Sequence, residues 1–447
     1  MNRAAPSPKT TAAAPKEDVS RSPAPTHAAD QVARPGSPAP AGAWRAVAFV
    51  MFAVAWGGNE FTPLLVMYRQ NGDFSPVVAD GLLAAYIFGI VPALLIGGPL
   101  SDRFGRRPLL LPAAPLALAG SLVIAAAPAS FVAVGIGRVL CGLALGLGMA
   151  VGAAWISELS RAADAGAGPR RASLSLTTGF LVGAGAAAAL AQWAPLPERL
   201  SYGVHIVIAL LASLAILRAP ETRRRRTAAE TGSLWADLKV PAVAHRRFLF
   251  VVIPVAPWVF GAAGSAYAVL PGLMADHSGG LPIALSGLLT VICLGAGAVV
   301  QMLGKRIDTH RSARASALAM GIILVGMVIA ALAASRLTLP LAIAGAAVLG
   351  AGYGLAMIAG LSEVQRIAGP DDLAGLTSVF YSFSYLGFFV PVTLTALSAH
   401  FTFAQLFTAG AVMAALCGAV VVSAWRTHLP TGEGARAVSW EPDDAAS

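Results

Sequence analysis

Along this chain, apolar runs of about 20 residues alternate with short polar joints. At about 1.5 Å per residue such a run crosses roughly 30 Å of hydrocarbon as an α-helix. The runs are apolar on every side, whereas a helix lying on a soluble core would show one polar face. They predict twelve membrane spans, at approximately 45–69, 79–100, 109–129, 132–156, 173–194 and 202–218, then 248–272, 282–303, 316–335, 338–361, 374–398 and 404–425. Six spans within 44–218 and six within 248–426 make two halves. Between them 219–247 carries Arg223, Arg224, Arg225, Arg226, Lys239, Arg246 and Arg247 and reads as a central linker. The flanking stretches, 1–43 and 427–447, read as tails. The first is rich in Pro, Ala and Ser and lacks an apolar stretch of roughly 7 to 15 residues, so it is expected to be disordered and not a signal peptide.

Composition agrees with a bilayer as the solvent. Apolar residues make up 57% of the chain and charged residues 12%, against about 25% charged in a soluble domain. The net charge of +9 does not point to nucleic acid, because the basic residues sit in joints between spans and not on one face. Of the 31 Lys and Arg residues, all but Arg69, Arg138, Arg199 and Arg336 fall on the cytoplasmic side if the N-terminus lies inside. Both tails are then cytoplasmic. Arginine outnumbers lysine and alanine is abundant, which hints at a high-GC bacterium and hence an inner membrane. Cys141, Cys293 and Cys417 all lie in apolar runs with no disulfide or metal spacing, and no metal site, cofactor site or ATP site is visible.

Two ionisable residues lie inside first-half spans. Glu60, in Trp56-Gly57-Gly58-Asn59-Glu60-Phe61-Thr62-Pro63, stands about nine residues from the outer end of the first span, and Arg138 about seven from the outer end of the fourth. Their depths match, so pairing is allowed. Charge at membrane depth is costly and marks a cavity, a partner or an ion path. A guanidinium favours the charged carboxylate and loss of water favours the protonated one, so movement of Arg138 would switch the proton affinity of Glu60. Plainer readings stand beside this one: Arg138 snorkels to the interface, and the first helix ends at Pro63 so that Glu60 meets vestibule water. Asn59 lines the cavity or bonds another helix. His205, at the start of the sixth span, is expected at the interface.

The joint after the second span reads Gly97-Gly98-Pro99-Leu100-Ser101-Asp102-Arg103-Phe104-Gly105-Arg106-Arg107-Pro108. In order and in place it resembles the loop signature of the major facilitator superfamily: Gly, three residues, acid, base, any residue, Gly, then basic residues. Gly304-Lys305-Arg306-Ile307-Asp308 is a degenerate echo in the second half. By topology the resemblance covers residues 44–426. It implies an all-α membrane protein with twelve transmembrane helices in two six-helix halves, the major facilitator fold. Its substrate site would lie between the halves. The expected partners are a small molecule, protons and the bilayer, with the chain acting as a monomer. Gly98 and Gly105 would let helices approach. Asp102 would face the positive N-terminus of helix eleven, near Leu373, and close the cytoplasmic side. Asp371 and Asp372 either pair with Arg103, Arg106 or Arg107 as a lock between halves or are solvated loop charges.

Further strings divide between subfamilies. Gly137-Arg138-Val139-Leu140-Cys141-Gly142 resembles the helix-four motif of drug:proton antiporters, with Cys141 in place of its glutamine, and also the Gly-Arg start of helix four in sugar porters. Gly179 to Gly185 partly resembles the antiporter motif of helix five, but Ala184 stands where that motif has proline, and Ala187 and Ala188 where it has glycine. Ser157-Glu158-Leu159 and Pro220-Glu221-Thr222 resemble sugar-porter punctuation. Helix seven lacks the paired glutamines of dedicated sugar porters. Trp258, Phe260, Tyr381 and Tyr385 are expected to form an apolar cavity wall, with the two tyrosines on one face, unless they face lipid or other helices. The reading is a proton-coupled transporter exporting a small amphipathic compound by alternating access, with proton-linked uptake of a sugar or other metabolite as the alternative. A membrane enzyme would need Cys, His and carboxylates at matched depth and a receptor would need a soluble module; neither pattern is present.

Overall fold

The computed structural model describes residues 42–72, 74–160, 166–223, 239–304, 312–369 and 372–426. Within them twelve helices are long and apolar enough to cross a membrane. In the first half these are α1 (Trp44–Gln70), α2 (Pro76–Phe104), α3 (Arg106–Ala126), α4 (Phe131–Leu159), α5 (Ala167–Trp193) and α6 (Pro197–Arg218). In the second they are α7 (Phe248–Leu273), α8 (Pro282–Leu303), α9 (Arg314–Arg336), α10 (Leu339–Ile367), α11 (Leu373–Leu397) and α12 (Phe403–Ser423). Several start earlier than the apolar runs, because Arg106 and Arg107, Arg170 and Arg171, and Arg314 ride on first turns. Hydropathy marks the part of a helix that lies in lipid, while the backbone ladder continues into water. The arginine run Arg224 to Arg226, the echo at Lys305 to Asp308, and Asp371 lie outside the described residues.

Two helices are interrupted where proline removes a donor. α1 consists of Trp44–Asn59 and Phe61–Gln70, with Glu60 at the joint. Pro63 has no N–H for the carbonyl of Asn59, and its ring crowds that carbonyl. The Glu60 N–H keeps its bond to Trp56 O at 2.9 Å. α11 breaks in the same way: Pro391 takes the donor from Gly387, and Leu386–Phe388 form a tight 3-10 turn between Leu373–Tyr385 and Phe389–Leu397. α4 and α7 carry wide π turns, Gly148–Gly152 in one and Phe248–Val252 and Ser265–Val269 in the other.

The halves repeat one packing scheme. In the first, α4 lies on α2 and α3, α6 on α3 and α1, and α5 on α1; in the second, α10 lies on α8 and α9, α12 on α9 and α7, and α11 on α7. Between the halves α5 meets α8 and α2 meets α11, the reciprocal pairs expected of a two-fold repeat. This places α1, 89% buried over its apolar window, inside the bundle, and α12, 28% buried, at its rim.

Candidate functional site

The joint in α1 turns Glu60 inward, 1% exposed. Ser121 Oγ of α3 lies 3.0 Å from Glu60 Oε1 and 2.7 Å from His205 Nδ1 of α6. The imidazole Nδ1 is 3.4 Å from Oε1, and Nε2 is 3.0 Å from the carbonyl of Ala53 on α1. Gly57 makes this possible, since a Cβ there would overlap the ring of His205. His205 is therefore fully buried, not interfacial: α6 begins at Pro197, ahead of its apolar run, which carries His205 more than two turns inward. The vestibule reading of Glu60 fails as well, because the helix does not end at Pro63 but runs on to Gln70, and the Glu60 side chain is buried. Trp56, one turn back, faces the same carboxyl without meeting hydrogen-bond geometry at Oε2.

Arg138 is as deeply buried, yet its ion pair with Glu60 is not formed. Its Nη1 donates to Gly58 O at 3.3 Å, and its Cζ lies 4.8 Å and 4.5 Å from the ring centroids of Phe61 and Tyr86. The guanidinium is held between two aromatic faces. It does not snorkel. Glu60 Oε2, Arg138 Nε and Tyr86 Oη are buried and without a hydrogen bond among the described residues. Of the two roles open to Asn59, helix bonding is observed: Nδ2 donates to Phe180 O of α5 at 3.2 Å, and Oδ1 accepts from Thr62 at 2.8 Å.

Aromatic rings of α7, α10 and α11 pack on one another, in a grouping other than the one expected. Phe260 of α7 stacks on Tyr385 and Phe388 of α11 with centroids 4.4 Å and 5.0 Å apart, and Tyr353 of α10 approaches at 5.9 Å. Tyr86 of α2 meets Tyr385 and Phe388 edge-on across the halves at 6.4 Å and 6.3 Å, which joins the wall to the Arg138 cage. Tyr381 packs on Phe380, one turn away from Tyr385. Trp258 is two residues from Phe260, about 200° around the helix, and is half-buried elsewhere. A hollow of about 20 Å³ remains among Thr177, Phe180, Leu294, Ala298, Gln301 and Tyr353, while a larger one of about 520 Å³, lined by residues such as Leu273, Ser335, Ser398 and Phe401, lies at the rim far from Glu60.

At the signature end, several ionic contacts among the described residues tie helices within one half. Gly105 turns the chain between α2 and α3 at φ 101°, and a Cβ there would collide with Glu221. The Glu221 carboxylate accepts from the backbone N–H of Arg106 and Arg107 at 3.0 Å and 2.9 Å, capping α3. Arg106 Nη2 pairs with Glu158 of α4 at 3.0 Å and its Nη1 with Asp102 at 3.0 Å; Asp102 also meets Arg223 at 3.2 Å. Arg107 donates to Leu217 O at 2.9 Å. Asp102 is thus engaged within its own half, and Leu373 is 41% exposed. A Cβ on Gly98 would meet open space, so no helix approaches there. Arg103 is half-buried at the end of α2, and Asp372 precedes α11 without capping it through its side chain. The second half has its own brace, which the sequence reading missed by treating Arg247 as linker charge. Arg247 is fully buried and forks onto Glu363 of α10, Nη2 to Oε1 at 2.8 Å and Nε to Oε2 at 2.5 Å, with Arg366 as a third member.

At the opposite end, polar contacts cross between the halves. Asp80 of α2, fully buried, pairs with Arg69 of α1 and accepts from Thr395 Oγ1 of α11 at 2.6 Å. Arg69 reaches over Gly272 of α7, where a Cβ would collide with Nη1. Gln192 Oε1 of α5 accepts from the N–H groups of Ile283 and Ala284 in the first turn of α8 at 3.1 Å and 3.0 Å. The Asp80–Thr395 contact also fixes the antiparallel register of α2 and α11. Twenty-two residues on from Asp80 is Asp102, and twenty-two back from Thr395 is Leu373.

Comparison with known proteins agrees with this architecture. The description of the Major Facilitator Superfamily matches residues 46–392. The chain is 26% identical over 260 residues to a chloramphenicol resistance protein of Pseudomonas aeruginosa, covering 56% of this chain and 58% of that protein. It is 30% identical over 147 residues to inositol transporter 4 of Arabidopsis thaliana, covering 32% and 24%. These matches, like that to a facilitated glucose transporter of Xenopus tropicalis at 18% of its length, span well under two thirds of the relatives. Among solved structures, a POT family transporter in complex with 5-aminolevulinic acid superposes with TM-score 0.69 at 13% identity, covering 85% of this chain and 95% of that one. A D-xylose–proton symporter does so at 0.64 and 18%, covering 88% and 98%. Twelve spans in two repeated halves and a family match over most of the length lead to one conclusion: the chain is a multi-pass membrane protein that belongs to the Major Facilitator Superfamily of transporters.

Proposed function

We propose that the chain is a proton-coupled secondary transporter that exports a small amphipathic compound by alternating access. The observation that carries this reading is Glu60, a carboxyl 1% exposed at the joint of α1, bonded to Ser121 beside His205, with Arg138 held apart between Phe61 and Tyr86. A carboxyl out of water favours its protonated form, and a guanidinium drawn toward it favours the charged one. A substrate that moves Arg138 therefore changes how tightly Glu60 holds a proton, and the two binding events are linked. Phe260, Tyr385 and Phe388 offer apolar surface beside the polar handles of Tyr86 and Arg138, which suits an amphipathic ligand. A relative matching 56% of this chain is a chloramphenicol resistance protein, which favours export. Similarity to a D-xylose transporter of Levilactobacillus brevis, 33% identical over 141 residues, supports a second reading, proton-linked uptake of a sugar or polyol.

The distribution of Lys and Arg puts the signature loop and both tails in the cytoplasm of an inner-membrane protein. In that orientation, the meeting of Asp80 and Thr395 across the halves and the exposure of Leu373 support an inward-facing form. In the outward-facing form the shared register of α2 and α11 would bring Asp102 to the start of α11.

The test is reconstitution in liposomes with an imposed proton gradient, starting with chloramphenicol, D-xylose and inositol. Glu60→Gln should exchange substrate but not accumulate it. Arg138→Ala should also uncouple, and Arg138→Lys should keep part of the activity because charge survives without the planar fork. Gradient-driven transport at the full rate in Glu60→Gln removes Glu60 from the mechanism.

A further inference from the structure

The hydrogen bonds around Ser121 report how many protons the site holds, an inference that rests on the reading of Glu60 as the coupling group. Ser121 has one hydroxyl hydrogen, and its oxygen faces Glu60 Oε1 at 3.0 Å and His205 Nδ1 at 2.7 Å at once. The carbonyl of Ala53 can only accept, so its 3.0 Å contact with Nε2 puts a hydrogen on that nitrogen. If His205 is neutral, Nδ1 is then bare and Ser121 must donate to it. The serine has no second hydrogen for Oε1, so Glu60 must be a carboxylic acid donating to Oγ. If instead Ser121 donates to a charged Glu60, Nδ1 must donate to Oγ, and His205 is an imidazolium. Both arrangements contain the same number of protons, one more than a charged Glu60 beside a neutral His205. That emptier state would set lone pair against lone pair at one of the two contacts, in a place where Glu60 and His205 are at most 1% exposed and no solvent relieves it.

We propose that Glu60, Ser121 and His205 form a single-proton store, loaded in this conformation, in which the proton passes between Glu60 and His205 through the Ser121 hydroxyl. In that step the Oε1–H bond of Glu60 breaks as a new Oγ–H bond forms, while the original Oγ–H breaks and Nδ1–H forms. Ser121 ends unchanged, Glu60 as carboxylate and His205 as imidazolium. Arg138 of α4 acts on this balance from outside the chain of bonds, its cation favouring the carboxylate; Cys141 of α4 and Tyr202 of α6 also lie within electrostatic reach of Glu60. Gly57 leaves room for the imidazole against α1, where Nε2 meets Ala53 and Nδ1 meets Ser121. The store lies wholly on α1, α3 and α6, so it travels with the first half.

The test uses the full chain in nanodiscs, with ¹⁵N-labelled histidine and infrared detection of the protonated carboxyl. The His205 and Glu60 signals are identified by their loss in His205→Gln and Glu60→Gln. The expected result is an Nε2–H neutral ring with a protonated carboxyl, or an imidazolium without one, the two signals moving together with pH. Ser121→Ala should separate them and abolish gradient-driven accumulation, and Ser121→Thr should restore both. An Nδ1–H tautomer, or a neutral ring beside a carboxylate at every pH in the unaltered protein, overturns the store. So does full coupling in Ser121→Ala when Glu60→Gln is uncoupled. If Glu60→Gln itself transports at the full rate, the coupling role falls, and the spectra still decide the store on their own.

Discussion

Among the contacts between described residues, the two ends of the bundle use polar groups differently. At the signature end, Arg106 with Glu158 and Arg247 with Glu363 tie helices of one half to each other. At the other end, Thr395 with Asp80 and Gln192 with α8 tie one half to its partner. Under the proposed alternating access, contacts of the first kind would survive rocking of the halves, and contacts of the second kind would break in every cycle. The contrast separates groups that set stability from groups that set the balance of states.

The largest effect is expected from Glu363→Ala, which removes the carboxylate that the buried Arg247 forks onto, at a cost of about 3–5 kcal/mol. The Tm in detergent should fall sharply, while the spacing of the halves in the folded fraction stays as before. An unchanged Tm would remove the brace.

Next comes Thr395→Val, which deletes one hydrogen bond to a charged group, worth about 1.5–3 kcal/mol, and leaves the Arg69–Asp80 pair intact. The population open at that end should rise tenfold or more. Spin labels at Val77, 40% exposed, and at the exposed Ala399, in a background without the native cysteines, should then show a longer distance at an unchanged Tm. A distance distribution like that of the unaltered protein would make the contact incidental.

Asp102→Asn should change stability by no more than about 1 kcal/mol, because its side chain is 36% exposed. Transport at equal membrane abundance should nevertheless slow, since the start of α11 loses its charged partner in the other state. The unaltered rate would rule out that gate.

The smallest structural effect belongs to Gly98→Ala. The added methyl meets open space and should leave Tm equal or raise it slightly, as alanine stabilises a helix interior by about 0.5–1 kcal/mol over glycine. Slower transport with an undamaged Tm would mark Gly98 as a surface needed only when α11 returns; full-rate transport would make it spare.

Span number and the signature were legible because each rests on local sequence: apolar length and a contiguous string. Glu60 and Arg138 were found because charge is rare in such runs. Their partners were not, since Ser121 and His205 lie far along the chain and become neighbours only when Gly57 lets α6 close on α1. His205 was misplaced by treating the start of an apolar run as the start of a helix. Asp80 carried the same signal as Glu60, an acid within an apolar window at Ala79-Asp80-Gly81, and the start of its span drew attention away. Trp258 was put on the wall because aromatic type is visible in a sequence, whereas the face of a helix interrupted by π turns is not.

Gln192 has one more consequence. α8 opens with Pro282, and the next two amides, at Ile283 and Ala284, would have no acceptor of their own in the first turn; a side chain from the other half supplies it. Each parting of the halves at that end must release both amides to water, and each closure must shield them again. Ile283 and Ala284 therefore keep time for the cycle: their deuterium uptake, followed by mass spectrometry without any substrate, counts openings. Substitution of Thr395 should quicken that count, and substitution of Glu363 should not.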